Sequence, residues 1–253
     1  MNLVTNFSGI SNKGLMGRLL RLPLSLIPSD IRLPILQGRL RGKRWIVGSS
    51  NHGCWLGSYE YQKQILFAEM IQEGSVVFDI GAHVGFYTLL SSQIVGPKGK
   101  AIAFEPLPRN IHYLKEHLRV NQCKKNVTVI EAAVVERSGF TFFEEGSNNH
   151  TGRLSQKGCL EIKAVSLDGL VSKGEIPPPD YMKIDVEGAE LLVLSGAKSI
   201  LNNYHPTIFL ATHGTEVHQQ CCAFLKSMGY YLQPINEKLS IDDTNEILAF
   251  REG

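Results

Sequence analysis

Asp79, Glu105, Asp185 and His213 each stand at or near the end of a short apolar run. Such runs read as buried parallel strands, and the carboxyl ends of parallel strands form the edge where α/β sheets take ligands. Three acids and a histidine on one edge suit a cationic ligand or proton movement, and they disfavour a phosphate.

The stretch that organises the rest is SVVFDIGAHVGFYT, residues 75–88. Val76, Val77, Phe78 and Ile80 surround Asp79; Gly81 and Gly85 follow, and an apolar helix opens with FYTLLSSQIV. The glycines allow a tight turn and close approach of a ligand. The helix start offers free N–H groups and the positive end of its dipole. An ordinary strand-to-helix turn is the alternative. A dinucleotide fingerprint wants glycine at the first, third and sixth positions. Counted from Gly81, the third residue here is His83 and the sixth is Phe86. Asp79 suits a ligand whose near end is cationic. S-adenosylmethionine carries an ammonium and a sulfonium and fits, whereas His83 and Asp79 disfavour a nicotinamide dinucleotide.

With 253 residues, 43% hydrophobic content and mean hydropathy near zero, the chain has room for one large α/β domain. No apolar run approaches a membrane span, and the N-terminus MNLVTNFSGISNKG is polar. Five cysteines without CxxC spacing fit reduced thiols and a cytoplasmic setting, not a disulfide frame or zinc site. The net charge of +2 is uneven. Residues 1–44 hold eight Lys or Arg against Asp30, leaving the remainder at −5. A basic balance confined to the N-terminus gives no nucleic-acid signature. Oligomeric state is not legible.

Residues 1–58 read as an N-terminal basic cap or lid, and residues 59–253 as the ligand-binding domain. Within the cap, KGLMGRLLRLPLSLIP is a packing segment or a basic amphipathic surface. Across residues 13–44 that surface could touch anionic lipid or an acidic substrate. Residues 39–57 read as a strand and a Gly-rich turn. YEYQKQILFAEMIQEG reads as a helix with Tyr61, Ile65, Phe67, Ala68 and Ile71 on its apolar side. AIAFEP is the second core strand. Its terminal Glu105, 24 residues beyond Gly81, can accept both ribose hydroxyls of an adenosine. VTVIEAAV is the third, with Ala133 leaving room beside an adenine. Residues 139–170 read as a β-hairpin insertion between core strands three and four, with His150 and Arg153 in its loop. YMKID is the fourth strand, with Glu187 and Glu190 in the first turn of the next helix. HPTIFLATHGTE is the fifth, and the chain closes on an antiparallel hairpin from YYLQPI and EILAFRE.

FDIGAHVGFYT, AFEPLPRN and MKIDVEGAE together resemble the FkbM family of S-adenosylmethionine-dependent methyltransferases, over roughly residues 55–212. The resemblance implies the Rossmann-like class I methyltransferase fold, a seven-stranded, mostly parallel sheet with helices on both faces. It also implies O-methylation of a hydroxyl on a sugar, natural-product or other small-molecule acceptor. Carried over by position, Asp79, Gly81 and Gly85 hold the methionine part, Glu105 the ribose and Asp185 the transfer centre. The remaining candidate cofactor contacts are Glu60, His83, Tyr87, Thr88, Pro106, Asn110 and Ala133. Where many members carry a glutamate near the end of the fifth strand, this chain has Thr212 and His213.

Methyl transfer from a sulfonium needs an aligned nucleophile, and an aliphatic hydroxyl also needs a base or a metal. His213 could be the base with Asp185 orienting it. The two could instead ligate a divalent metal, the less favoured option, or His213 could be structural. A catalytically silent adenosine-binding module is the alternative from another class.

Overall fold

The computed structural model describes residues 24, 26–123, 125–145, 152–154 and 160–251. Residues 13–23 of the basic segment and His150 lie outside the described residues.

In chain order the elements are β1 (Arg32–Pro34), β2 (Arg44–Ile46), α1 (His52–Leu56), α2 (Tyr61–Met70), β3 (Val76–Ile80), α3 (Phe86–Val95), β4 (Lys100–Phe104) and α4 (Pro108–Val120). Then follow β5 (Val127–Ile130), β6 (Ala133–Val134), β7 (Gly139–Glu145), β8 (Gly152–Leu154), β9 (Leu160–Val165), α5 (Leu167–Ser172) and β10 (Tyr181–Ile184). The chain ends with α6 (Glu190–Ser195), α7 (Lys198–Asn203), β11 (Thr207–Ala211), α8 (Thr215–Ser227), β12 (Tyr231–Pro234) and β13 (Glu246–Phe250).

The main sheet has seven strands in the order β12-β13-β11-β10-β3-β4-β5. Only β13 opposes its neighbours; the other pairings are parallel. This is the Rossmann-like class I methyltransferase architecture the motifs imply. From β3 the chain winds outward through β4 and β5, then returns to β10 on the other side. The order therefore reverses between β3 and β10, and a ligand crevice opens beyond their carboxyl ends.

Both sheet faces are covered, which is why the strands read as unbroken apolar runs. Phe78, Ile80, Ile102 and Phe104 pack toward Val193, Leu201 and Leu225. Val77 and Phe209 pack toward Leu89, Phe67 and Trp45 on the opposite side. Ile35, Leu40, Trp45, Val47 and Trp55 belong to this second core. Residues on both sides of the boundary expected at residue 58 share this core, since those side chains are buried in one cluster with Phe67 of α2 and Leu89 of α3.

Several local expectations change. The Gly-rich turn expected before residue 57 is the short helix α1. In α2, Ile65 is 40% exposed while Lys63 and Gln64 are buried. The Lys63 ammonium is tolerated there because Glu60 (2.8 Å) and Glu246 (2.6 Å) both answer it. The third strand splits at Glu131: β5 stays in the main sheet, and β6 joins a second sheet in the order β6-β9-β7-β8. The insertion is a hairpin-based sheet, with β7 antiparallel to β8 and β9. Arg153 falls in β8. The apolar stretch after β9 is the helix α5, not a longer strand.

Candidate active site

The glycine turn follows β3. Gly81 has φ +78°, and a β-carbon there would lie 1.9 Å from the Asp185 carbonyl oxygen. Glycine is required because the turn abuts the end of β10, a contact within the protein rather than with a ligand. Gly85 has φ +88°, and its β-carbon would press on Leu114 Cγ at 2.9 Å. His83 is itself left-handed, with φ 51°. The turn's amides are largely committed. Gly81 and Ala82 both donate to Phe104 O at 3.0 Å, His83 N donates to Glu105 Oε2 at 2.8 Å, and Gly85 N donates to Ala82 O at 2.8 Å. These four amides of the turn are spent inside the fold; the expected cradle rests on the N–H groups that open α3, which are a separate set.

Beyond the turn lies a cavity of about 240 Å³. The β3 turn and α3 contribute Gly81, His83 and Tyr87; the end of β4 contributes Glu105, Pro106 and Asn110. Ala132 and Ala133 line the β5–β6 corner, and Lys183, Asp185 and Glu187 line the β10 end. The fourth side comes from Ser50, Asn51, Cys54 and Tyr59, which no sequence motif marks.

Glu105 is 4% exposed. Its Oε1 accepts from Leu107 N at 3.0 Å and from Asn110 Nδ2 at 3.1 Å, and Oε2 accepts the single His83 amide. A carboxylate offers about four lone-pair sites, so Oε2 retains acceptor capacity. Burial raises its pKa, opposed by these hydrogen bonds.

Asp79 does not line the cavity. It is fully buried behind the turn, where Oδ2 accepts from Thr88 Oγ1 at 2.6 Å and Oδ1 lies 3.5 Å from Lys183 Nζ. The acid expected to face a ligand is turned toward Thr88 and Lys183 instead of the cavity. Its register partner on β10 is Lys183, so alternation sets the two side chains on one face. Thr88 is buried with it and is also outside the lining.

Lys183 went unread in the sequence, although its spacing of two from Asp185 in MKID was the available signal. Its Nζ donates to Gly81 O at 3.2 Å, lies 3.5 Å from Asp185 Oδ2, and sits 5.3 Å from the Tyr87 ring centroid. Burial pulls its pKa down, but Asp185 and Asp79 outweigh that and hold it well above the ordinary lysine value. Burial pushes Asp185 up; Lys183, Lys63 and His213 outweigh it and keep Asp185 below the usual carboxylate range.

Glu60, expected to touch the ligand, opens α2 in a left-handed conformation (φ 45°) and lies outside the cavity lining. It accepts from the Tyr87 hydroxyl at 2.9 Å and pairs with Lys63. Burial, then Glu60, drives the Tyr87 pKa well above 10.

His213 also stands behind the lining. Its Nδ1 is 2.8 Å from Glu190 Oε1, and its Nε2 is 3.7 Å from Asp185 Oδ1 and 3.6 Å from Glu187 Oε2. The hydrogen bond to Glu190, opposed by burial and supported by Glu187 and Asp185, raises its pKa. Thr212 turns the other way, to His218 at 2.9 Å. Glu187 is not in a helical turn: it is left-handed (φ 56°), and α6 starts only at Glu190. Among the described residues no group of three His, Cys, Asp or Glu side chains is arranged to hold a metal ion.

The sequence model of the methyltransferase FkbM domain family matches residues 79–232. The chain belongs to the FkbM methyltransferase family. Among curated relatives, the hexuronic acid methyltransferase AglP of Haloferax volcanii is 33% identical over 140 residues, covering 54% of this chain and 56% of that protein. Methyltransferase sdnD of Sordaria araneosa is 25% identical over 154 residues, covering 47% and 59%. The chain thus spans less than two thirds of the length of these two relatives. A solved FkbM methyltransferase from Methylobacillus flagellatus superposes with a TM-score of 0.51 at 16% identity, covering 79% of this chain and 55% of that one. At that identity the likeness shows a shared fold. No helix among the described residues is long and apolar enough to cross a membrane.

Proposed function

We propose that this chain transfers a methyl group from S-adenosylmethionine to a hydroxyl of a small-molecule or sugar acceptor. The observation that carries the reading is the charge of the cavity. Glu105, Asp185 and Glu187 line it against the single ammonium of Lys183, and Lys183 is already answered by Asp79 and Asp185. That acidic wall favours a cationic nucleoside over a nucleotide phosphate. The sugar acceptor is drawn from the name of the Haloferax relative.

S-adenosylmethionine, when bound, supplies a methyl carbon made electrophilic by its sulfonium. The chain's own residues do the rest. Glu105 Oε2 accepts from ribose hydroxyls, held by His83 N–H on one side and by Asn110 and Leu107 on the other. Ala132 and Ala133 leave a flat space for adenine, with Pro106 alongside. Gly81 and Gly85 shape the turn, and Asp79 and Thr88 brace it from behind through Lys183. Glu60 holds Tyr87 in the wall. Asp185 orients the acceptor, and His213 Nε2 receives the hydroxyl proton.

A silent adenosine-binding module is the second reading, favoured by one feature: His213 stands outside the lining with its ring among three carboxylates. Calorimetry with S-adenosylhomocysteine against NAD tests the ligand. Label transfer from tritiated S-adenosylmethionine into a cell extract then separates enzyme from module. Uptake of NAD in preference to S-adenosylhomocysteine would overturn the reading.

A further inference from the structure

We infer that Glu190 is the positioning residue of His213, fixing which imidazole nitrogen carries the hydrogen and aiming the other at Asp185. The inference rests on the proton-accepting role proposed above for His213.

Glu190 opens α6, and an acid in a helix's first turn ordinarily complements the dipole from the surface. Glu216 stands so at the start of α8, exposed to solvent. Glu190 is instead 0% exposed. A dipole contact does not call for burial, and burying a carboxylate is unfavourable unless specific partners compensate. Its partners are few and directed. Oε1 accepts from Gly188 N at 3.0 Å and meets His213 Nδ1 at 2.8 Å, while Oε2 has no hydrogen-bond partner among the described residues.

A carboxylate oxygen only accepts, so Nδ1 carries the hydrogen and neutral His213 keeps its lone pair on Nε2. That nitrogen faces Asp185 and Glu187, both in the cavity wall, at 3.7 and 3.6 Å. These separations exceed a hydrogen bond, so neither carboxylate closes Nε2 off. In the transfer, the acceptor hydroxyl gives its proton to Nε2 as its oxygen bonds the methyl carbon. The methyl–sulfur bond breaks with its electron pair left on sulfur. Glu190 then balances the imidazolium.

Asp185, Glu187 and Glu190 surround the His213 imidazole, and Lys183 and Lys63 act on Asp185. Cys221 of α8 packs near Glu190 and stays a thiol, its pKa pushed up to about 12 by burial and by Glu190.

The test is long-range proton–nitrogen NMR of the histidines in the unliganded chain, across pH. The expected wild-type result is a neutral His213 protonated on Nδ1. In E190Q, which keeps the shape and removes the charge, the His213 pKa falls by about one unit. S-adenosylhomocysteine affinity, read by calorimetry, stays within about threefold, since Glu190 does not line the cavity. If E190Q does not fold, the wild-type tautomer alone decides. A neutral His213 protonated on Nε2, or an unmoved pKa in E190Q, overturns the inference and leaves the proposed function standing. An H213A variant that retains full label transfer removes the proton-accepting role, and this inference with it.

Discussion

The imidazole of His117 lies flat against the indole of Trp45, with ring centroids 3.8 Å apart and planes 15° from parallel. His117 accepts from Ile46 N at Nε2 (3.1 Å), so its Nδ1–H donates to Val84 O at 2.8 Å. Val84 lies inside the glycine turn, and Ile46 ends β2. One buried neutral histidine therefore ties the segment that supplies Ser50, Asn51, Cys54 and Tyr59 to the turn on the other side of the cavity.

That clamp predicts an acid-sensitive fold. Burial lowers the His117 pKa to about 4, with the Val84 hydrogen bond opposing. Below pH 6.5 the unfolded chain takes up a proton that the folded chain refuses. Its stabilisation is thus present above pH 6.5 and is lost as pH falls toward about 4. The ceiling is about 3 kcal/mol by proton linkage. Urea melts at pH 7, 5.5 and 4.5 should show this slope, and H117F should flatten it. An unchanged slope in H117F would place the acid sensitivity elsewhere.

Two glycines separate crowding from backbone strain. Gly81 combines φ +78° with a blocked β-carbon, whereas Gly188 has φ +98° and nothing within 4 Å. Gly81→Ala should cost about 3 kcal/mol or more and weaken S-adenosylhomocysteine binding, because the turn must leave Asp185. Gly188→Ala should cost only about 1–2 kcal/mol of conformational strain. Thermal melts of the two variants make the comparison; equal losses would mean that the close approach to Asp185 is unimportant.

The strand ends were legible because apolar runs and the acids that close them are local features. Glu105 and Asp185 accordingly line the cavity as their positions suggest. Asp79 misled because its neighbour across the sheet is not local: only the β3–β10 register shows that Lys183 answers it. Residues 50–59 carry no motif, since the Trp45–His117 stack and the shared core bring them to the cavity. Glu190 reads as a helix-start acid from sequence, because its burial and its contact with His213, 23 residues further on, are not local features. The split of the third strand was equally hidden, as β6 leaves the main sheet only because β9 offers it a parallel partner.

Lys183 should prove a structural cation as well as a cavity residue. Its removal leaves Asp79 buried with one hydroxyl for company. Lys183→Met should therefore destabilise by about 3–5 kcal/mol, as when one partner of a buried pair is deleted. Adding Asp79→Asn should recover part of that loss, since the uncompensated charge goes too. A double-mutant cycle on chemical melts reads the coupling. Additive losses would show that the 3.5 Å separation carries no interaction worth the name.

Glu105 offers the sharpest check on the ligand itself. All three protein groups on its carboxylate are donors: His83 N–H, Leu107 N–H and the Asn110 amide. In Glu105→Gln one side-chain oxygen becomes an amino group that meets a donor head-on, so about 1–3 kcal/mol of stability should go. If Oε2 also receives ribose hydroxyls, losing a hydrogen bond to a charged acceptor should weaken S-adenosylhomocysteine by about 10- to 150-fold. The two effects separate by ligand. Wild type should prefer adenosine to 2′,3′-dideoxyadenosine, and the variant should lose the preference while still taking the base beside Ala132 and Ala133. A variant that binds both nucleosides as wild type does would remove Glu105 from ribose recognition, leaving it a brace for the turn through His83.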